Sequence, residues 1–123
     1  MIVDVRTEGV IGAATAVHRT LGAGLLESAY AACLAVELAR REIPFRREVC
    51  VPIMYRGHLV DASYRLDFLA LESIVVEVKS VEAINPVHVA QALTYMRLGA
   101  YPAGLLLNFN VPVLREGITR LSL

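Results

Sequence analysis

Asp67, Glu77 and Lys79 are the residues whose types and spacing are most suggestive of chemistry. Residues 74–79 read Ile-Val-Val-Glu-Val-Lys, a β-branched apolar run that predicts a strand. Side chains two apart on a strand share a face, so Glu77 and Lys79 lie with Val75, and Ile74, Val76 and Val78 lie on the other side. If the preceding hairpin turns symmetrically about Glu72, Asp67 falls opposite Glu77. Opposed side chains sit roughly 4.5–5.5 Å apart at Cβ, and like charges so placed work against the sheet. A bound divalent cation reverses that sign. A one-residue slip would send Asp67 to the other face, and a Glu-x-Lys on a strand can also be plain solvent face.

Glu27 is a third acid of interest. On a helix it lines up with Ala31, Leu34 and Leu38, the core-facing stripe, where a carboxylate is costly without a partner. The competing account is a first-turn acid that suits the helix dipole. Further along, His88, Gln91 and Tyr95 fall at i, i+3 and i+7, one polar-edged helical face or ordinary surface residues. His18 and His58 have no partner at metal-ligand spacing. No GxGxxG, Walker loop, GxSxG or HExxH is present.

These residues need elements to hold them. Apolar residues at Val10, Ala13, Ala14, Val17 and Leu21 predict a helix over Val5 to Leu21, broken by Gly22-Ala23-Gly24. A second helix runs from about Leu25 to Arg41. Strands follow over 45–55, 58–61 and 64–70, then 74–79. Asn85-Pro86 reads as N-cap and first helical position of a helix to about Leu98, with Gly99 past its end. Residues 103–109 form a buried-type strand, and a short segment over 113–121 closes the chain. The order is ααβββαβ around a mixed sheet.

The chain has 123 residues, 12 basic and 12 acidic, with 56% hydrophobic content. That length and apolar content predict one domain over 1–123 with a real core, and exclude a disordered chain. Cys33 and Cys50 fit neither a disulfide framework nor a zinc spacing, which suits a cytoplasmic protein. Met1 to Arg6 carries acid early and lacks the layout of a signal peptide. The longest uncharged stretch, 98–114, holds two prolines and two asparagines, so no membrane span is expected. A neutral charge balance gives no global pull toward nucleic acid. Arg40, Arg41, Arg46 and Arg47 cluster locally, either as a solvated helix end or as a phosphate-contacting patch. The basic residues comprise eleven Arg and one Lys, and that Lys is Lys79.

Asp67 followed by Glu77-Val78-Lys79 resembles the PD-(D/E)XK nuclease superfamily. Gly24-Leu25-Leu26-Glu27-Ser28-Ala29-Tyr30 resembles the signature of the GxxExxY family of small bacterial proteins placed in that superfamily. The blocks Tyr64 to Phe68, Val76 to Lys79, His88 to Gln91, Gly104 to Phe109 and Gly117 to Arg120 are similar to that family's as well, so the likeness covers nearly the whole chain. It implies a restriction-endonuclease-like αβββαβ core, here with an extra N-terminal helix. It also implies that Glu27, Asp67 and Glu77 hold Mg²⁺ or Mn²⁺, and that Lys79 positions the water. Gln91 and Tyr95 resemble a Gln-xxx-Tyr element that orders the site or touches substrate. Tyr30 matches the signature with no assigned chemistry. The superfamily's Pro before the first Asp is replaced by Leu66.

The expected function is therefore metal-dependent phosphodiester hydrolysis, with DNA as the nucleic-acid partner and a homodimer as the working form. A catalytically silent nuclease-fold protein that binds or regulates is the alternative, and an oligomeric structural protein is a third.

Overall fold

The computed structural model describes residues 5–123, so most of the N-terminal stretch read above for a leader lies outside the described residues. Helix α1 spans Val5–Leu21 and α2 spans Glu27–Arg40. Strands β1 (Phe45–Tyr55), β2 (His58–Ala70) and β3 (Ile74–Lys79) follow, then α3 (Pro86–Gly99) and β4 (Ala103–Asn108). A short 3₁₀ helix, Leu114–Gly117, leads into β5 (Ile118–Ser122). The five strands form one sheet in the order β1-β2-β3-β4-β5. β3 and β4 are parallel, as the α3 crossover between them requires, and the other neighbours are antiparallel. This is the mixed sheet expected of a restriction-endonuclease-like fold, with the extra N-terminal helix in place.

Helices cover both faces. Ile74, Val76 and Val78 pack with Leu105 and Leu107 against Val10, Val17, Leu34 and Leu38 of α1 and α2. Val75, Leu66 and Leu69 pack on the other face with Met96 of α3. Each such side chain, taken fully out of water, contributes roughly 1.5–3 kcal/mol, which is what holds three layers together in so short a chain. Because both faces are covered, β3 reads as a continuous apolar run, and Glu77 is buried with it. The account of Glu77 as solvent face is thereby excluded.

One local expectation needs correction, and two open readings are decided. The break expected at 62–63 is an irregularity inside one continuous β2, with a register shift between Pro52 and Ile53 of its partner. Pro52 is tolerated because β1 is an edge strand. Glu27 is exposed at the start of α2, so it escapes the burial cost although Ala31, Leu34 and Leu38 below it are buried. His88 belongs to the helix start: its Nδ1 accepts from Asn85 N–H at 3.1 Å while Asn85 Oδ1 accepts from His88 N–H. Cys33 and Cys50 are free thiols.

Candidate active site

The hairpin β2–β3 pairs Phe68 with Val76, Leu69 with Val75 and Ala70 with Ile74. That register is the symmetric turn about Glu72, and the main-chain ladder stops one residue short of Asp67 and Glu77. At this level the ladder changes hands. Glu77 Oε2 accepts from Asp67 N–H at 2.8 Å, and Asp67 Oδ2 accepts from Val78 N–H at 2.8 Å. Two carboxylates replace main-chain carbonyls, and both are drawn into the seam between the strands.

A fault in the neighbouring strand goes with this geometry. Glu48 takes a left-handed backbone, φ 53°, in the middle of β1. Phe45 packs on the α1/α2 side, yet Val49 and Val51 pack on the α3 side, so the alternation of β1 inverts across Glu48. β2 inverts at the same level: Phe68 lies on one side and Leu66 on the other, with Asp67 between them. Strict period-two alternation forbids this, and a non-glycine left-handed residue costs roughly 1–2 kcal/mol. Nothing in the residue pattern signals it.

Burial sets the electrostatics. Glu77 is 5% exposed, and loss of solvent, followed by the neighbouring Asp67 charge, pushes it up to about 8. Desolvation raises Asp67 as well, opposed by its bond from Val78 N–H and by the Lys79 ammonium. Lys79 also pulls Glu77 down, and the Glu27 carboxylate pushes both acids up. The four predicted residues are therefore close enough to act on one another. Arg47, stacked 5.2 Å over the Phe68 ring, lowers Asp67 too. The rest of the basic cluster is taken: Arg40 and Arg41 pair with Glu37, and Arg46 forms a fork on Glu72 at 2.7 and 2.8 Å.

Glu27 stands beside the pair without joining it. Its Oε1 accepts from Ser80 N–H at 3.3 Å, while Ser80 Oγ donates to Leu25 O. Among the described residues no group of three or more His, Cys, Asp or Glu side chains is placed to hold a metal ion. Asp67 and Glu77 alone still fit a divalent cation. Each uses one oxygen for the main chain, and Asp67 Oδ1 and Glu77 Oε1 accept no hydrogen bond among the described residues. Among the described residues no side-chain oxygen is left both buried and unpartnered, so these two are not sealed into the protein. Two raised acids with free oxygens are the donor chemistry a hard cation prefers.

Gly24, Glu27 and Tyr30 have distinct physical jobs. Gly24 turns the chain at φ 100°, where a side chain is strained. Tyr30 is fully buried, stacks on Phe109 at 4.5 Å, accepts from Leu25 N–H and donates to Gly22 O. It locks the α1–α2 loop. Gln91 is exposed, and Tyr95 is half-buried with its ring 5.1 Å from Tyr64. Desolvation, then Glu77, Tyr64 and Asp67, raises Tyr95, which puts it within electrostatic reach of the acids. Gln91, Tyr95 and Tyr64 line a cavity of about 210 Å³.

Asn108 belongs to the site's support and was not singled out by sequence. It is buried at the end of β4, opposite Lys79 in the parallel register. Its Oδ1 accepts from Val81 N–H at 3.1 Å and Asn110 N–H at 3.2 Å, and its Nδ2 donates to Val81 O at 3.0 Å. Phe109 N–H donates to Lys79 O at 2.9 Å. The chain leaving Lys79 is thus clamped. Gly117 lets the 3₁₀ helix press on this point, because a Cβ there would lie 2.0 Å from Asn108 O.

A family model described as the PD-(D/E)XK nuclease superfamily matches residues 4–121. No curated protein and no solved structure gives a significant match. No helix among the described residues is long and apolar enough to cross a membrane.

Proposed function

The chain belongs to the PD-(D/E)XK nuclease superfamily, and on that premise we propose that it hydrolyses phosphodiester bonds of DNA with a divalent metal, Mg²⁺ or Mn²⁺. The observation that carries this is the interlocked Asp67–Glu77 pair, Glu77 buried and Asp67 half-buried, with Lys79 two residues on. Such a pair is unfavourable for a sheet that has no cation to bind.

Asp67 and Glu77 would hold the cation through the oxygens they do not give to the main chain. Glu27 would support them from the start of α2. A bound divalent cation supplies an acidified water and neutralises charge at the scissile phosphate. Lys79 donates to the attacking water and holds it in line, as a compact ammonium can. Arg47 offers a fixed cation to a phosphate oxygen, and its stacking on Phe68 limits its freedom. Tyr95 and Gln91 hold the nucleotide next to the acids. Exposed Met54, Tyr55, Leu59 and Val60 at the β1–β2 hairpin support a homodimer, which light scattering would show. The compartment proposed is the cytoplasm.

The test is cleavage of labelled single-stranded, duplex and branched DNA with Mg²⁺, Mn²⁺ or EDTA. Metal-dependent products that disappear in Glu77→Gln support the proposal. Absence of cleavage by the parent protein on every substrate favours the silent binding role instead.

A further inference from the structure

A cleft of about 630 Å³ lies between the C-terminal half of α1 and the segment running from Pro112 to Arg120. None of the proposed catalytic residues lines it. Its polar lining includes Arg19, Arg115, Arg120 and His18, and no acidic residue is among its walls. In a chain with equal numbers of acids and bases, that is a local concentration of positive charge. Arg120 Nη2 is held by Glu8 Oε1 at 3.0 Å. Among the described residues the guanidinium groups of Arg19 and Arg115 have no ion-pair or hydrogen-bond partner, although Arg40, Arg41 and Arg46 all find glutamates. His18 is nearly buried, and its Nε2 meets Val111 O at 2.8 Å. A carbonyl only accepts, so Nε2 is the donor in that contact. Leu114 and Ile118 add an apolar wall.

We infer that this cleft is a second ligand site, which takes the phosphate of a nucleotide between Arg19 and Arg115 and its less polar body against Leu114 and Ile118. Guanidinium forks match phosphate oxygens in pairs. One segment joins this cleft to the acidic site: Asn108 clamps Val81 beyond Lys79, and Val111 meets His18. The anion-binding part stands on the cleft itself. The choice of a nucleotide rests on the nuclease proposal, and its source is either a free mononucleotide or one nucleotide of a bound strand.

The experiment is fluorescence anisotropy of a labelled single-stranded oligonucleotide with the full chain in EDTA, with a 5′-mononucleotide as competitor. Arg19→Ala/Arg115→Ala is compared with the parent and with Glu77→Gln, after thermal melts establish that each is folded. The expected result is binding by the parent and by Glu77→Gln. The double variant should weaken binding at least about tenfold. It should also lower the slope of log K against log salt by about 1–2. Competition by the mononucleotide in the parent supports a free-nucleotide seat. Loss of strand binding in the double variant with no such competition supports a seat along a strand. Unchanged affinity and salt slope in the double variant, or no binding of either probe by the parent, overturns the inference. In the separate cleavage assay with Mg²⁺ or Mn²⁺, retained cleavage by Glu77→Gln would instead strike the nuclease proposal and leave the cleft standing.

Discussion

Asp67 and Glu77 are interlocked through the main chain of β2 and β3: Glu77 takes the N–H of Asp67, and Asp67 takes the N–H of Val78, each at 2.8 Å. The acids are therefore aimed by the backbone itself. Their separation cannot drift with side-chain rotamers, as it would for two acids reaching into a cleft from surface positions.

This pairing makes the metal-free protein sensitive to base. Glu77 has an ordinary value near 4.5 when unfolded and about 8 when folded. Below pH 4.5 both states hold the proton. Between 4.5 and 8 the unfolded state loses it first, so stability falls as pH rises, by several kcal/mol in total before relaxation. Melts in EDTA across this range should show a decline that Glu77→Gln flattens. Parallel profiles for the two proteins would mean that burial of Glu77 carries no such cost.

Lys79→Arg keeps the charge and loses the compact ammonium. The variant should fold and bind Mn²⁺ like the parent, while cleavage drops at least about 100-fold. Full activity would reduce the lone lysine among eleven arginines to compositional bias.

Tyr30→Phe removes one hydroxyl that serves both Gly22 O and Leu25 N–H. Urea unfolding should show a loss of about 1–3 kcal/mol, with Mn²⁺ affinity nearly unchanged. A large loss of affinity at normal stability would give Tyr30 a direct role that its burial argues against.

Asn108→Ala frees Val81 from two hydrogen bonds, and Asn110 N–H from one, at the clamp below Lys79. Cleavage should fall through kcat with KM little changed, because the residue positions Lys79 and does not reach the substrate. Asn108→Asp keeps the acceptor and loses the donor, and it should retain part of the activity. Equal loss in both variants would indicate a purely structural role.

Much of this architecture was legible in sequence, and the reasons are local. The run Ile74 to Lys79 announces a covered strand, Asn85-Pro86 announces a helix start, and symmetry about Glu72 brings Asp67 to the level where its N–H meets the Glu77 side chain. What escaped depends on contacts between distant segments. The inversion at Glu48 lies between the pairs Arg47–Phe68 and Val49–Leu66, and glutamate carries no local preference for a left-handed backbone. Asn108 looks like a strand-ending polar residue until Val81 folds over it. Glu27 follows the core stripe by its spacing but sits one turn beyond the covered part of α2, where Ser80 meets it. The Arg cluster split because its glutamate partners, Glu37 and Glu72, come from separate elements.

Mn²⁺ titration by calorimetry at pH 7.5, on the parent and on Glu77→Gln, bears most directly on the claim that the Asp67–Glu77 pair is built for a cation. The parent should bind with release of protons, because a raised acid must give up its proton to the metal. Glu77→Gln should bind at least about tenfold more weakly. Equal affinity in the two proteins, or no binding to the parent, would contradict it.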